Sequence, residues 1–568
     1  MTVKERLWFK YYPEEVPKSL EYPDQPLPDL LKKSAKDYPE REAIYFMGKR
    51  ITYRELMDDV HRMARALKEL GVKKGERVSI MLANSPQAVI AYYAVLTIGG
   101  VVVQTNPMYK ERELEHMLTD SGAETIICLD LVYQQVEKVK PRTPLKRVIV
   151  TGIKDYLPFP KNWLYSLKLK MDGIQPQIPY GDGVFAFSEI MKKAMPEPVE
   201  IEIASMDEVA LLQYTGGTTG LAKGAMLTHR NIVVNVVQCH HWMYKGERGK
   251  EKVLGLVPFF HVYGMTVVMN FSVYMAATMV LVPRFDVKDV LKVIDKERPS
   301  LFPGAPTMYV GLINHPEIAK YDLSSIKACI SGSAPLPVAV QERFEKLTGG
   351  RLVEGYGLTE CSPVTHANPI WEKRKNGSIG LPWPDTECRV VDPDTGEEME
   401  AGVAGLLQVK GPQVMKGYWN RKEETEKVLR DGWLNTGDIA MMDEDGYFYI
   451  MDRQKDMIIA SGFNIYPREV EEVLYDHPAV QEVSVIGVPD PYRGETVKAF
   501  LVLKPDAKVT EQELNTYCRS KLANYKVPRL YEFRDQLPKT TVGKVLRREL
   551  AEEERRKAAA EEQGKTER

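Results

Sequence analysis

The chain has 568 residues, with 77 Lys and Arg against 79 Asp and Glu, 44% hydrophobic and 27% charged. This is the composition of an ordinary globular protein long enough for several folding units, and it excludes collagen-like, disordered and disulfide-rich classes. A formal charge of −2 argues against general nucleic-acid binding, which needs a basic surface excess.

The N-terminal stretch, MTVKERLWFKYYPEEV, is charged throughout and lacks the apolar core of a signal peptide. Its aromatic and basic residues are expected to form a packed arm. Thr52 and Glu55 have capping-box spacing. Leu56, Val60, Met63, Ala64 and Leu67 then recur at helical spacing, and Gly71 follows the end. RVSIMLA reads as a strand. Ser85 and Pro86 supply a cap and a first-turn proline for the next helix, and VVVQTNP is the strand after it. This alternation, continuing to about residue 380, predicts a mostly parallel sheet flanked by helices.

From 253 to 283 there is no Asp, Glu, Lys or Arg. About 20 apolar residues suffice to span a membrane, but Pro258, His261, Gly264, Asn270 and Ser272 interrupt the run. A strand, a loop, a buried helix and another strand fit better. From about 385 to 450, short runs such as ECRVVD, GLLQVKG and GYFYIMD alternate with Asp/Gly/Pro turns, as in a β-rich subdomain. Beyond Arg453, PREVEEVLYDHP reads as a helix, VQEVSVIGV and VKAFLVL as strands, and Thr510 with Glu513 as a second capping box. The charged last 20 or so residues read as a solvated helix fraying into a tail. The expected class is α/β. A large body of helix-flanked sheets with a small β-rich subdomain (1–452, the subdomain from 385) is followed by a hinge at 453–456 and a small mobile α+β domain at 457–568. The six cysteines form no CxxC pair, which suits a reducing, cytoplasmic setting.

The most chemically informative string is YTGGTTGLAKG at 214–224. Thr215, Gly216, Gly217, Thr218, Thr219, Gly220 and Lys223 combine close backbone approach, hydroxyl donors and a positive charge, as a polyphosphate requires. It is not the Walker pattern. Further polar strings stand where apolar strands end: PFFH (258–261), SGSAP (331–335), EGYGLTE (354–360), NTGD (435–438), DRQKD (452–456), SGFNIYP (461–467) and PKTTVGK (538–544). Ligands of open α/β sheets gather at such strand ends.

In this order, over about 52–550, the strings resemble those of the acyl-adenylate-forming ligases, most closely the bacterial long-chain fatty acid–CoA ligases. Ala222 departs from the wider superfamily, where proline commonly precedes the lysine. The resemblance implies ATP, Mg²⁺ and coenzyme A as cofactor and co-substrates. It implies formation of acyl-AMP from a fatty acid with loss of pyrophosphate, then transfer to CoA. The phosphate string would hold the β- and γ-phosphates. Glu354, Gly355, Tyr356 and Gly357 would border adenine, Thr359 would reach the α-phosphate and Glu360 would contact Mg²⁺. Asp438, with Arg453, would hold the ribose, and Gly332, Ser333 and Ala334 would border the adenine and the acyl carboxylate. Lys544 would carry adenylation, and His261 would position or gate substrate. Lys455 would be the hinge of a domain rotation that brings Ser461, Gly462 and Phe463 to the CoA channel. Val262, Tyr263, Gly264, Val267 and Val268 would line an acyl tunnel, together with Met269 and Phe271, with Ala276 and Ala277 leaving room.

Medium-chain or aryl acids, and a non-enzymatic lipid carrier with a degenerate nucleotide site, remain alternatives. An amino-acid-activating domain fits less well, since PFFHVYGM offers no aspartate for an amine. Peripheral membrane association at the inner face of the membrane and a homodimer are left open.

Overall fold

The computed structural model describes residues 6–174, 176–200, 203, 205–215, 222–460, 463–490, 493–540 and 543–566; the side chains of 463, 464 and 558–566 are outside the description. The fold is α/β. Its largest sheet has eight strands in the order Gly417–Tyr418, Lys223–Thr228, Val209–Thr215, Val101–Gln104, Arg77–Met81, Thr125–Leu129, Arg147–Thr151 and Val184–Ala186. Its centre is parallel. The apolar runs VVVQ and TIICL are buried along their whole length, as strands covered on both faces must be. The capping box forms as the spacing requires: Thr52 Oγ1 accepts from Glu55 N–H at 3.2 Å, and Glu55 accepts from Thr52 N–H at 2.8 Å. The helix Tyr53–Glu69 follows. Ser85 caps the helix Pro86–Thr97, whose residues are all buried.

The charge-free segment is core. Lys252–Gly255 and Thr278–Leu281 pair in parallel within a second sheet that also holds Glu42–Phe46 and Lys49–Thr52. Between them the buried helix expected from the sequence forms as a π-helical stretch, Gly264–Asn270, continued by Phe271–Tyr274. Among the described residues no helix is long and apolar enough to cross a membrane. Bridges at Leu301 connect this sheet to a third, built on the parallel pair Ala328–Ser331 and Arg351–Gly357.

The β-rich part contains the three expected strands, Glu387–Val391, Ala404–Lys410 and Phe448–Arg453. One correction is needed. NTGD does not lie where a strand ends but inside a ten-residue strand, Trp433–Met442, which runs between Ala404–Lys410 and Phe448–Arg453. Gly437 at φ +72° permits the irregularity there, and Asn435 Oδ1 accepts its N–H at 3.0 Å. The alternating pattern is broken at the functional residues, so the strand is hidden from a periodicity reading.

The C-terminal part has the expected helix Pro467–Tyr475 and the long antiparallel pair Val480–Asp490 with Gly494–Leu503. Thr510 caps Glu511–Lys521 reciprocally. The charged terminus is helical over Arg547–Thr566 and is anchored by buried Leu550 and by Glu554 on Lys498 at 2.7 Å. The N-terminal arm packs as expected: Trp8 is buried edge-on to Phe448, and Tyr11 donates a hydrogen bond to Asp445. All six cysteines are free and buried.

Candidate active site

The parallel strands Ala328–Ser331 and Arg351–Gly357 pair as far as Ser331 opposite Glu354, where the first ends and the second runs on to Gly357. Their outgoing chains therefore bring Gly332, Ser333 and Ala334 beside Gly355 and Tyr356. Gly357 is required by a close approach, because a Cβ there would lie 2.2 Å from the Pro363 carbonyl oxygen. Gly332 has the Tyr263 ring against it at 3.4 Å. Asp438 joins them from the β-rich part. It is buried and accepts the Tyr356 hydroxyl at 2.5 Å on one oxygen and Arg453 Nε at 2.5 Å on the other. The strand register explains the pair, since Asp438 and Arg453 face each other directly. Burial, reinforced by Asp438, pushes the Tyr356 phenol well above its usual range, so Tyr356 stays a neutral donor. The buried Ser331 Oγ and Glu354 Oε2 have no hydrogen-bond partner among the described residues. These orphaned polar atoms, facing each other where the parallel pairing stops, suit a ligand rich in donors and acceptors.

Thr215 and Lys223 face each other in the antiparallel pair Val209–Thr215 with Lys223–Thr228; Gly216, Gly217, Thr218, Thr219 and Gly220 lie outside the described residues. Lys223 forms an ion pair with Glu424 and sits over the Tyr418 ring, 5.3 Å from its centre. The Tyr418 hydroxyl donates to Glu360 Oε1 at 2.6 Å. Glu360 thus stands one residue away from Lys223 in the contact network, just after Thr359 in the turn Thr359–Cys361. Glu360 Oε2 has no donor among the described residues, which leaves one hard oxygen for a cation. No group of three or more His, Cys, Asp or Glu among the described residues could hold a metal by itself. This donor set fits Mg²⁺, which is bound through one or two carboxylates together with substrate phosphates.

The aromatic turn is fixed by two residues far away in sequence. Asn84 Nδ2 donates to the carbonyls of Gly255 and Val257 at 3.0 and 2.9 Å, and its Oδ1 accepts from Phe259 N–H at 2.8 Å. Gln213 Nε2 donates to the Phe260 carbonyl at 2.9 Å. His261 Nδ1 accepts from Tyr263 N–H at 3.2 Å, so the proton of the neutral ring sits on Nε2. Desolvation, helped by the positive Lys544, lowers the His261 pKa to about 4.

A narrow apolar cavity adjoins these elements. Cys239 and Met243, Val267 and Phe271, and Ala328 and Ile330 are three pairs from three elements, joined by Val253, Leu301 and Pro303. The spacings i,i+4 on helices and i,i+2 on a strand present each pair on one face. The Tyr263 hydroxyl donates to the Ile330 carbonyl at 2.6 Å, tying the histidine turn to this wall. Of the residues expected to line an acyl tunnel, Val267 and Phe271 line this cavity; Val262, Tyr263, Val268 and Met269 are buried but are not among its lining residues. Gly264 needs correction. A Cβ there would stand 2.3 Å from the Pro258 carbonyl oxygen and 2.4 Å from that of Val257. Its smallness serves backbone packing and opens no slot.

Lys544 comes from the other end of the chain. Its backbone N–H donates to Thr540 Oγ1 at 3.1 Å. The preceding Gly543 has φ +80° and abuts Thr307 of the body, where a Cβ would meet Oγ1 at 2.2 Å. Lys544 is exposed to solvent, yet it lies near enough to Arg453 and Asp438 of the body and to Arg547 of the C-terminal part to feel their charges. Partial desolvation first, then Arg453 and Arg547, lower its pKa to about 8, opposed by Asp438 and Asp456.

The profile described as AMP-binding enzyme matches residues 31–419, and that described as AMP-binding enzyme C-terminal domain matches 469–544. The chain belongs to the AMP-binding enzyme family. It is 55% identical, over 96% of its length and 98% of the relative, to a long-chain-fatty-acid–CoA ligase of Bacillus subtilis (strain 168). Among solved structures it resembles the anthranilate CoA ligase AuaEII in complex with anthranoyl-AMP (TM-score 0.85, 28% identity, 95% of this chain and 99% of that one). It also resembles ATP-bound MatB from Rhodopseudomonas palustris (TM-score 0.81, 30% identity, 92% and 98%).

In this AMP-binding enzyme the contacts between body and C-terminal part pair Asp452 and Glu354, which stand in the polar strings, with Arg468 and Arg547, to which the sequence reading gave no role. Buried Asp452 accepts Arg547 Nη1 at 2.6 Å and the Arg468 backbone N–H at 2.8 Å. Arg468, itself buried, donates to the Ile450 carbonyl at 3.0 Å and lies 3.5 Å from Glu354. Burial outweighs Arg468 and raises the Glu354 pKa to about 7. Lys455 follows this knot in an exposed turn, with its pKa lowered by desolvation. Ser461 and Gly462 lie outside the described residues, and only the backbone of Phe463 is described, in the strand Phe463–Ile465.

Proposed function

We propose that this chain is a long-chain fatty acid–CoA ligase that converts a fatty acid, ATP and CoA into acyl-CoA, AMP and pyrophosphate. The observation that carries the reading is convergence. Tyr356, Asp438 and Arg453 are in direct contact, and Lys544, almost 190 positions from Tyr356 in sequence, lies within reach of the charges of Asp438 and Arg453. The relative at 55% identity, a long-chain-fatty-acid–CoA ligase, supports the choice of acid.

A carboxylate is a poor electrophile, and a thiol cannot displace oxide from it. In the first half-reaction a carboxylate oxygen attacks the α-phosphorus of ATP and pyrophosphate leaves. Asp438 accepts the ribose hydroxyls, with Arg453 holding its orientation. Tyr356 lies against adenine, bordered by Glu354–Gly357 and by Gly332, Ser333 and Ala334. Thr215, Lys223 and the glycine-threonine loop hold the β- and γ-phosphates, Lys223 exchanging Glu424 for them. Thr359 and Lys544 face the α-phosphate, where negative charge concentrates in the transition state. Glu360 would hold Mg²⁺, which when bound neutralises phosphate charge. His261, neutral throughout the physiological range, orients the carboxylate and takes no proton, because the acid is already ionised.

In the second half-reaction the CoA sulfur attacks the acyl carbonyl, its proton is released and AMP leaves. The units divide at 453–456, with 1–452 as body and 457–568 as the moving part. Rotation at Lys455 would break the Asp452–Arg547 and Glu354–Arg468 contacts, withdraw Lys544 and bring Ser461–Gly462–Phe463 to the pantetheine arm. The test is pyrophosphate release across carboxylates from acetate to the longest soluble fatty acids, with and without CoA. Release that does not rise with chain length would remove the long-chain assignment.

A further inference from the structure

One surface feature is used by none of this chemistry. The helix Lys161–Met171 has no buried residue, although its sequence is KNWLYSLKLKM. Tyr165 packs against the core and Leu169 is half-covered on the same side. At 3.6 residues per turn, Trp163, Leu164, Leu167 and Met171 fall on the opposite side, within an arc of about 100°. They are exposed, Trp163 by 60% and Met171 by 79%, and Phe159 just before the helix is exposed by 84%. A helix apolar on two faces is normally covered on both. A contiguous apolar patch of this kind marks a place where something else binds.

The charges say what covers it. Lys168 and Lys170 border the apolar arc on its two sides, with Lys161 at the N-terminal end, its Nζ donating to the Met47 carbonyl at 2.8 Å. Asp172 is the one acidic residue in the helix and its first following turn. Tryptophan, leucine and methionine flanked by lysines is the chemistry of a helix lying in the headgroup boundary of an anionic bilayer. We propose that the outward face of Lys161–Met171, with Phe159, docks this protein on anionic lipid. A protein-binding partner would need no flanking lysines on both borders. Docking stands independently of the ligase reading; only its use, collecting an apolar acid where such acids partition, rests on that reading.

The experiment is co-sedimentation of the full chain with phosphatidylcholine vesicles with and without phosphatidylglycerol. The variants are Trp163→Glu/Leu167→Glu and Lys168→Glu/Lys170→Glu, whose side chains are solvent-exposed and leave the core intact. Wild type is expected to bind the phosphatidylglycerol vesicles, and each double variant to lose binding by about tenfold or more. Pyrophosphate release from a water-soluble short acid serves as a folding check and should be unchanged. Equal vesicle binding by wild type and the Trp163/Leu167 variant overturns the proposal. So does sedimentation velocity showing a wild-type dimer that this variant dissociates, with no wild-type binding to vesicles, which would make the face a contact between copies.

Discussion

Val267→Phe tests the acyl cavity most directly. Val267 lines the cavity on the same face as Phe271, and phenylalanine adds four carbons to valine, a bulk equal to about four methylenes of an acyl chain. At about 0.8 kcal/mol per buried methylene, excluding four of them costs about 3 kcal/mol for an acid long enough to need that space. At about 1.4 kcal/mol per tenfold, kcat/KM for palmitate relative to decanoate should fall about 200-fold. The assay is pyrophosphate release at subsaturating acid, with thermal unfolding to confirm that the variant folds. Val268→Phe is the control. Val268 is fully buried but absent from the lining, so the larger ring should overpack the core and destabilise by about 1–3 kcal/mol without changing the chain-length ratio. A folded Val267→Phe enzyme with an unaltered palmitate-to-decanoate ratio would refute the cavity assignment.

Lys544→Ala should abolish acyl-AMP formation while sparing thioester formation from preformed acyl-AMP; equal loss of both would remove its assigned role. Because the Lys544 pKa lies at about 8, its positive form is complete below that value and is lost as pH rises through it. The kcat/KM of the free enzyme for adenylation should therefore descend above about pH 8, a limb missing from the residual rate of Lys544→Ala. Glu354 titrates at about 7 when folded, above its ordinary 4.5. The folded state then binds more protons, and the contribution of Glu354 to stability, full below about pH 4.5, is lost as pH rises toward 7. Glu354→Gln should flatten that part of the unfolding-temperature profile, and an unchanged difference between the two proteins across this window would contradict it. Arg468→Met, which leaves Glu354 buried without its cation, should destabilise by about 3–5 kcal/mol and weaken adenylation more than thioester formation, measured by chemical denaturation and by the two half-reactions.

Much of this was legible along the chain. Both capping boxes form at their expected threonines because a cap needs only residues three apart. The buried parallel strands follow from short apolar runs, and the polar strings are local in sequence because each occupies a few consecutive residues of one strand or turn. Side-chain exposure along Lys161–Met171 was not legible, since alternating apolar and basic residues do not say which face meets the body.

The sequence by itself determined the class of fold, most of the order of elements and the polar strings proposed to bind a nucleotide, all of which depend on neighbours a few residues apart. Tertiary structure alone decided the rest. It gave Gly264 a backbone role where its smallness had suggested a tunnel, because the carbonyls that crowd it belong to a turn folded back over it. It set Cys239, Met243, Ala328 and Ile330 around one cavity, used Asn84 and Gln213 to fix the aromatic turn, and paired Arg468 with Glu354 across 114 positions. The physical reason is common to all four. Burial, close approach and ion pairing are properties of distance in space, and a chain of 568 residues with almost balanced charge permits many pairings of which packing selects one.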